Sequence, residues 1–580
     1  MDSFPHNALI LADPGEFAQS EPVWGTGGWL PPEERRALDW FTLCRFTGLR
    51  PRVTACDAFD PTGVDDGVHW LILACDSSAI DDDLIRKLET LLRRKSITVI
   101  CQVAGESSPL ARWLGIRMSD ETLRGSRLSA PGWPGRCEWE CGKPVEIHRL
   151  HTGSRATVVA RLDAFPLIAA TPSGMSRVIT IGFDASVMRD AEGVFTQLLQ
   201  RLIVFSSPVP MPWIDWSDTL VLRMDDPGSS EALYNRRYHN TKLRAEEWTA
   251  LGEELAKRNA RLSACYVPGW VDAGECVQGI LEVDGRKTGR VPGAVHPSPV
   301  VRFEHHGDDG IQLHDHAGEF QAIRKLMDAG LLGVELHGFT HLSPDRQAWL
   351  DAPDRFDSNA WFREFGRDAV RYLEDHPGIP HPIDEALEIF ETYFHTRPTS
   401  LICPGEEFTS HVLVKALAVG LPVVSSYYLA IRDGGRFCWA QHVCAPYLDI
   451  PAETWFDAAL PVVGYFHDSD IAENGVKWFS DCLDQWRQAG ARKMIDLGEL
   501  AAALGMKFAV KKKDDEWELE VLGAPGLPLP RPFELQLHFP HEKAPPVISC
   551  IHAGQRRVLP VTHGRTGGAS VLIGGGWAQP

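Results

Sequence analysis

Positive charge is scarce in this 580-residue chain: 58 Lys and Arg stand against 78 Asp and Glu, a formal net charge of −20. Nucleic acids and anionic membranes are recognised through a basic face, and no run of Lys or Arg exceeds the triplets Arg93-Arg94-Lys95 and Lys511-Lys512-Lys513. Neither partner is therefore expected. Long apolar runs are missing too. No stretch approaches the roughly 18 uninterrupted apolar residues of a membrane-spanning helix. The start, Met1 to His6 and then a short Ala8–Ala12 run, lacks the basic and long apolar regions of a signal peptide, so the expected location is cytoplasmic. The 13 cysteines are scattered and odd in number, which fits reduced thiols better than a disulfide framework. Cys137 and Cys141 have the CxxxC spacing without a second pair, too little to predict a structural zinc. Tryptophan, in contrast, is plentiful at 19 copies, as large cores or stacking platforms for sugar rings require.

A 44% hydrophobic, 23% charged composition is that of a globular protein, and at about 100–200 residues per domain the length predicts about three to five domains. Ala8–Ala12, His69–Cys75, Ser96–Val103 and Arg177–Phe183 read as strands, and 80–94 and 191–205 as amphipathic helices. Such alternation predicts a parallel, doubly wound sheet over residues 1–207. A Pro-rich joint, Ser207-Pro208-Val209-Pro210-Met211-Pro212, precedes a second alternating region, 213–506, which predicts a deformed (β/α) barrel. From Lys507 the residues alternate apolar and polar, predicting a small C-terminal β-sandwich over 507–580. The expected fold class is thus α/β throughout the first two regions.

With the stretch Ser173 to Asp184, the pattern of the first region resembles class I glutamine-amidotransferase-like, flavodoxin-like domains. That family's Gly-x-Cys-x-Gly elbow is absent, and Cys75 is followed by Asp76 and Ser77. The resemblance therefore implies a non-catalytic unit serving packing, oligomerisation or the shaping of a substrate site.

Three strand ends in the second region carry chemistry. Thr219-Leu220-Val221-Leu222-Arg223-Met224-Asp225-Asp226-Pro227-Gly228 is an apolar strand ending in adjacent carboxylates and a turn. Alone it reads as well as a surface turn; at the C-terminal end of a barrel strand it reads as a site. Gly333 to His341 ends a second strand with His337 and His341 four residues apart, a spacing that lets two imidazoles meet one metal ion but is often only structural. Leu460 to Asp470 ends a third strand in His467, with Asp468 beside it to orient the ring or to contact substrate.

Together these segments resemble the polysaccharide deacetylase (NodB homology, carbohydrate esterase) family over roughly Asp218 to Gly505. The resemblance implies Asp225 as general base, Asp226, His337 and His341 as ligands of a divalent metal ion, most simply zinc, and His467 as general acid. It implies a hydrolase that removes an N-acetyl or other acyl group from an amino-sugar-containing carbohydrate. Alternatives within this reading are an amide or ester hydrolase acting on a non-carbohydrate small molecule, a glycoside hydrolase, or a glycan-binding protein without catalysis. The substrate is the expected partner, and a homo-oligomer through either terminal region is compatible with the sequence.

The departures are specific. The family's third motif supplies an Arg that orients the base, whereas here the segment reads Ser400-Leu401-Ile402-Cys403-Pro404-Gly405-Glu406-Glu407. Glu406 or Glu407 is expected either to contact substrate or to cap a helix starting near Thr409. An insertion over about 271–316 carries His305, His306, Asp308, Asp309, His314, Asp315 and His316, and is expected to be a polar lid loop rather than a second metal site. Trp270 and Trp439 near strand ends are candidates for stacking on a sugar, against the simpler reading of core residues.

Overall fold

The computed structural model describes residues 7–13, 32–102, 108–183, 193–230, 242–307, 310–351, 362–426, 429–433, 436–440, 443–446, 448, 453–523, 531–552, 554–563 and 568–574. The fold is α/β, as the alternation predicts. In the N-terminal region β1 (Asn7–Ala12), α1 (Pro32–Thr47), β2 (Arg50–Ala55), β3 (Val68–Leu73), α2 (Asp82–Arg94) and β4 (Thr98–Gln102) form a parallel sheet in the order β2-β1-β3-β4. β1, β3 and β4 are buried on both faces and read as apolar runs, whereas the edge strand β2 is mostly half-exposed. Trp40, Phe41 and Leu43 of α1 pack in one core with Ala8 and Ile10, and Leu84, Leu88, Leu91 and Leu92 of α2 pack in another with Leu9 and Leu11. The two helices therefore cover opposite faces. Asp81 starts α2 by accepting the Leu84 amide at 2.8 Å, with acidic residues in its first turn and Arg93 and Arg94 in its last.

The sheet does not stop there. After Ser176–Ile181, parallel to β4, it continues antiparallel through Phe165–Ser173, Thr157–Leu162, Ile116–Ser129 and Glu138–Thr152. The sequence reading expected a parallel sheet only. The antiparallel strands escape it because they are largely solvated: Glu138–Thr152 buries only a few of its residues and carries four Glu or Lys side chains in its first nine.

The central region is a ten-stranded curled sheet, an open half-barrel, which is the form the expected deformed (β/α) barrel takes. Its parallel heart runs Ser400–Ile402, Leu332–Leu336, Leu262–Tyr266, Thr219–Asp225, Val462–His467. Thr219–Asp225 is buried at every position. Trp248, Leu251 and Leu255 of the helix Ala245–Lys257 pack with Phe320 and Ile323 of His316–Asp328, with Phe479, Leu483 and Trp486 of Val476–Ala489, and with the sheet's Leu220, Leu222, Met224 and Tyr266.

The insertion is not a loop. Gly279–Val283, Arg286–Thr288, Val301–Gly307 and Gly310–Asp315 form a four-stranded antiparallel sheet around a small core of Trp270, Leu281, Val301 and Phe303. Asp308 and Asp309 lie outside the described residues. In the C-terminal region, Glu516–Leu522 pairs antiparallel with Lys507–Lys513 but parallel with Val547–His552. A second small sheet there takes in Met211–Trp213, antiparallel to Phe533–His538, so the Pro-rich joint is woven into C-terminal β structure.

Trp270 is fully buried against Phe303 at a ring distance of 5.4 Å, which removes it from the candidates for stacking on a sugar. Trp270→Ala is expected to cost about 3–5 kcal/mol of local stability, read as a lower first midpoint in denaturant unfolding followed by tryptophan fluorescence.

Candidate metal centre and active site

Parallel strands emit their last side chains at one edge, and here five neighbouring strands do so together. Asp225 and His467 are register partners on adjacent strands, and His337 follows the end of Leu332–Leu336. The alternation of a strand would send Asp225 and Asp226 to opposite faces. The backbone resolves this: Asp226 adopts a left-handed conformation, φ 79°, and turns its carboxylate back to the same edge.

The donor atoms of Asp226, His337 and His341 all lie within 4.8 Å of one another. Asp226 Oδ1 stands 3.2 Å from His337 Nε2 and 3.5 Å from His341 Nε2, is buried, and makes no hydrogen bond of good geometry among the described residues. His337 Nδ1 lies 3.2 Å from the Ile402 carbonyl. Donation there fixes the ring tautomer and leaves the Nε2 lone pair facing the carboxylate. Two imidazole nitrogens and one carboxylate oxygen, all buried, are a donor set that fits a divalent ion with positions left open. Burial disfavours charge on these groups, yet their mutual interactions outweigh it. Contact with His337 and the nearby His341 and His467 hold the Asp226 carboxyl well below its usual range, while Asp225 and Asp226 raise the His337 imidazole.

The loop between the two histidines is held by a residue the sequence reading did not single out. Glu364 accepts the Phe339 amide at 2.7 Å, the Thr340 amide at 3.1 Å and the Thr340 hydroxyl at 3.2 Å. Gly338, φ 65°, leaves room for it, since a Cβ there would collide with the Glu364 carboxylate. The Phe362 ring stacks on His341 from the same segment.

Asp225 is held by an arginine two residues before it in the same strand. Arg223, fully buried, donates from Nε to Asp225 Oδ1 at 2.9 Å and from Nη2 to Asp225 Oδ2 at 2.5 Å. Positions i and i+2 of one strand share a face, which is the signal that identifies it. The same Nη2 reaches Glu406 at 2.6 Å, and the guanidinium lies over the Tyr465 ring, 4.9 Å from its centroid. Against the penalty of burial, Arg223 and then His337 lower the Asp225 carboxyl, so it stands ionised.

Gly405 (φ 64°) and Glu406 (φ 59°) turn the chain so that Glu406 enters the site. Glu407 instead pairs with Arg363 at 2.7 Å, outside the cluster. Neither caps the helix Ser410–Val419, whose N-cap is Thr409. Glu406 Oε2 is buried without a hydrogen-bond partner among the described residues. The side chain orienting His467 is Asp470, not Asp468: Asp470 Oδ2 lies 3.4 Å from His467 Nδ1 and accepts the His467 amide at 2.8 Å. Although burial acts against it, the Asp470 contact followed by Asp226 and Asp225 pushes the imidazole up to about 10, so His467 stands protonated at neutral pH. Asp468 is buried and pairs with Lys242 at 3.0 Å, and Lys242 also donates to the Asp226 carbonyl at 2.9 Å. Asp468 thus acts beneath the site, on its backbone. Trp439 is on the strand Arg436–Ala440 opposite Ala430, with its side chain outside the described residues.

The insertion is tied to the rim of this centre. The Ser298 hydroxyl donates to the Gly228 carbonyl at 2.9 Å, and the Gly269 amide to the Phe339 carbonyl at 2.7 Å.

No protein-family model and no curated protein matches the chain. Among solved structures it is similar to the carbohydrate deacetylase Agd3, at 10% identity and TM-score 0.42, over 98% of this chain and 97% of that one. A polysaccharide deacetylase from Mycobacterium smegmatis overlaps 50% of this chain and 92% of its own at 13% identity and TM-score 0.28. A family 4 acetyl xylan esterase from Clostridium thermocellum, in complex with a cobalt ion, overlaps 48% of this chain and 89% of its own at 11% identity and TM-score 0.23. No described helix is long and apolar enough to cross a membrane.

If Glu364 positions the histidines, Glu364→Gln keeps the fold but weakens zinc binding at this centre by about 10–100-fold, and His341→Ala removes that binding class, both read by competition titration against a chromophoric chelator.

Proposed function

We propose that this centre hydrolyses an N-acetyl, or other acyl, group on an amino-sugar-containing carbohydrate, with Asp226, His337 and His341 holding a divalent cation, most simply zinc. The observation that carries the reading is the pairing of an Arg223-clamped Asp225 with His467 on the adjacent strand, beside the three donors. The bound cation would supply Lewis-acid polarisation of the acyl carbonyl and make a water more acidic. Asp225 then takes the proton of the attacking water, its oxygens kept in place by Arg223. As the C–N bond breaks, His467 gives its proton to the leaving nitrogen, and Asp470 steadies the resulting imidazole. Asp225 works in a buried position, whereas the His467 side chain, 33% exposed, meets the leaving group at the rim.

Glu406 offers its unpartnered oxygen to a substrate hydroxyl or to the amine released. The −20 net charge suits a substrate that is neutral and becomes cationic on deacylation. Glycoside cleavage fits less well: it needs two carboxylates about 5–10 Å apart with independent roles, and the two available, Asp225 and Glu406, are both bound to one guanidinium nitrogen.

A screen of N-acetylated sugars and oligosaccharides for acetate, with a reducing-end assay alongside, tests the reading; new reducing ends without acetate would refute it. Asp225→Asn should retain the cation and lose about 10²–10⁴-fold in acetate release. Asp470→Asn removes the strongest influence raising His467, so the acid form is lost at lower pH and the alkaline limb of kcat/KM moves down.

A further inference from the structure

A second group of donors lies in the N-terminal sheet, apart from the centre just described. The ladders flanking β1 run one residue past its end. Ala12 pairs with Ala55 and Leu11 with Leu73, and the Cys56 and Ala74 amides then donate to the carbonyls of Ala12 and Leu11, each at 2.9 Å. The next row, just past the ends of these three parallel strands, is Cys56, Asp13, Cys75. One thiol sulfur from each cysteine and a carboxylate oxygen of Asp13 all lie within 4.8 Å of one another. Cys56 is 5% exposed and Cys75 6%. The Asp76 amide donates to Asp13 Oδ2 at 2.8 Å and orients the carboxylate.

The place is as telling as the residues. From β1 the chain passes through α1 to β2 on one side; from β3 it passes through α2 to β4 on the other. The connections diverge between β1 and β3, and in an open parallel sheet the crevice at the carboxyl ends of such strands is where ligands bind. Asp13 and Cys75 stand on its two lips.

We propose that Asp13, Cys56 and Cys75 form a second metal centre, for a thiophilic divalent cation of the zinc type. Two sulfurs and one oxygen at these separations suit tetrahedral Zn–S bonds of about 2.3 Å, with a fourth position open to water or a further ligand. Soft sulfur donors select zinc over magnesium or calcium. Binding exchanges the two thiol protons for the cation, with no change of oxidation state. A disulfide suits the geometry less well: Cys56 and Cys75 sit two strand spacings apart, on the order of 9–10 Å between backbones, whereas a disulfide needs Cα atoms within about 7 Å.

Cobalt(II) titration of the chelator-treated full-length protein tests this, because only a thiolate-bearing site gives a sulfur-to-cobalt charge-transfer band in the near ultraviolet. The wild type and His337→Ala should both show the band, and zinc but not magnesium should abolish it. The Cys56→Ser/Cys75→Ser double variant should lose it while keeping cobalt at the histidine centre. Failure of the histidine centre would appear separately, as a lost second binding class with the band intact. Absence of the band in the wild type, its persistence in the double variant, or a Cys56–Cys75 disulfide in freshly isolated protein would overturn the assignment. Should the double variant not fold, Asp13→Ala decides: cobalt affinity at the thiolate site falls about tenfold or more, and an unchanged affinity overturns the proposal.

Discussion

Arg223 carries its charge at a position closed to water, and removing a cation from water costs several kcal/mol unless its donors are matched. Here two carboxylates, a backbone carbonyl and an aromatic face share it. That matching ties together four pieces of chain distant in sequence: the strand bearing Asp225, the turn bearing Glu406, the Ser426 carbonyl and Tyr465 on the strand of His467. None of the four can shift without leaving part of a buried guanidinium unpaired. The orientation of Asp225 and much of the lowering of its carboxyl follow from that one desolvated charge. The Arg–carboxylate fork is planar and bidentate, so it fixes Asp225 in rotation as well as position, which a lysine point charge would not do.

The same site stores backbone strain. Asp226, His341 and Glu406 all take left-handed conformations that cost ordinary residues of order 1–3 kcal/mol each. Such conformations persist only where the surroundings over-determine them. Lys242 grips the Asp226 carbonyl, Glu364 fills the concave side of the His337–His341 loop, and Gly338 and Gly405 supply the adjoining turns. These are buried charges and hydrogen-bonded amides, not apolar contacts, so the site is rigid through polar satisfaction while the helices behind it are rigid through packing.

This division explains what could be read from the amino-acid sequence. The strand Thr219–Asp225 announced itself as an apolar run ending in two carboxylates, and the histidine spacing and the apolar strand before His467 were equally plain, because burial of a strand and proximity along the chain both leave local marks. Arg223 left a mark too, two places from Asp225, but a rule that looks for the arginine in another motif passes over it. Lys242, Glu364 and Asp470 left none that a single sequence reveals: what recruits them is contact across 16 and 25 residues, or a helix start whose capping acid lies three places on rather than one. The antiparallel half of the first sheet and the sheeted insertion were missed for the opposite reason. Their strands are half solvated and rich in charge, and Trp270 was weighed for stacking on a sugar when its neighbours Phe303 and Leu281 make it the centre of a small core.

Charge balance gives the arrangement its direction. Asp225, Asp226 and Glu406 crowd three carboxyls around one permanent cation, Arg223, at a largely buried edge where the effective dielectric is low. Such crowding is tolerable in two ways: some carboxyls take up protons, or positive charge enters. Burial and Asp225 do raise Glu406 towards protonation, but Asp226 is driven the other way. Asp226, facing two imidazoles, and Asp225, held by Arg223, are the carboxyls driven towards ionisation, while Glu406, with an oxygen to spare, is driven towards its acid form. The geometry separates a carboxylate set among imidazoles from one with an unpartnered oxygen, although both arise at the same edge of one curled sheet.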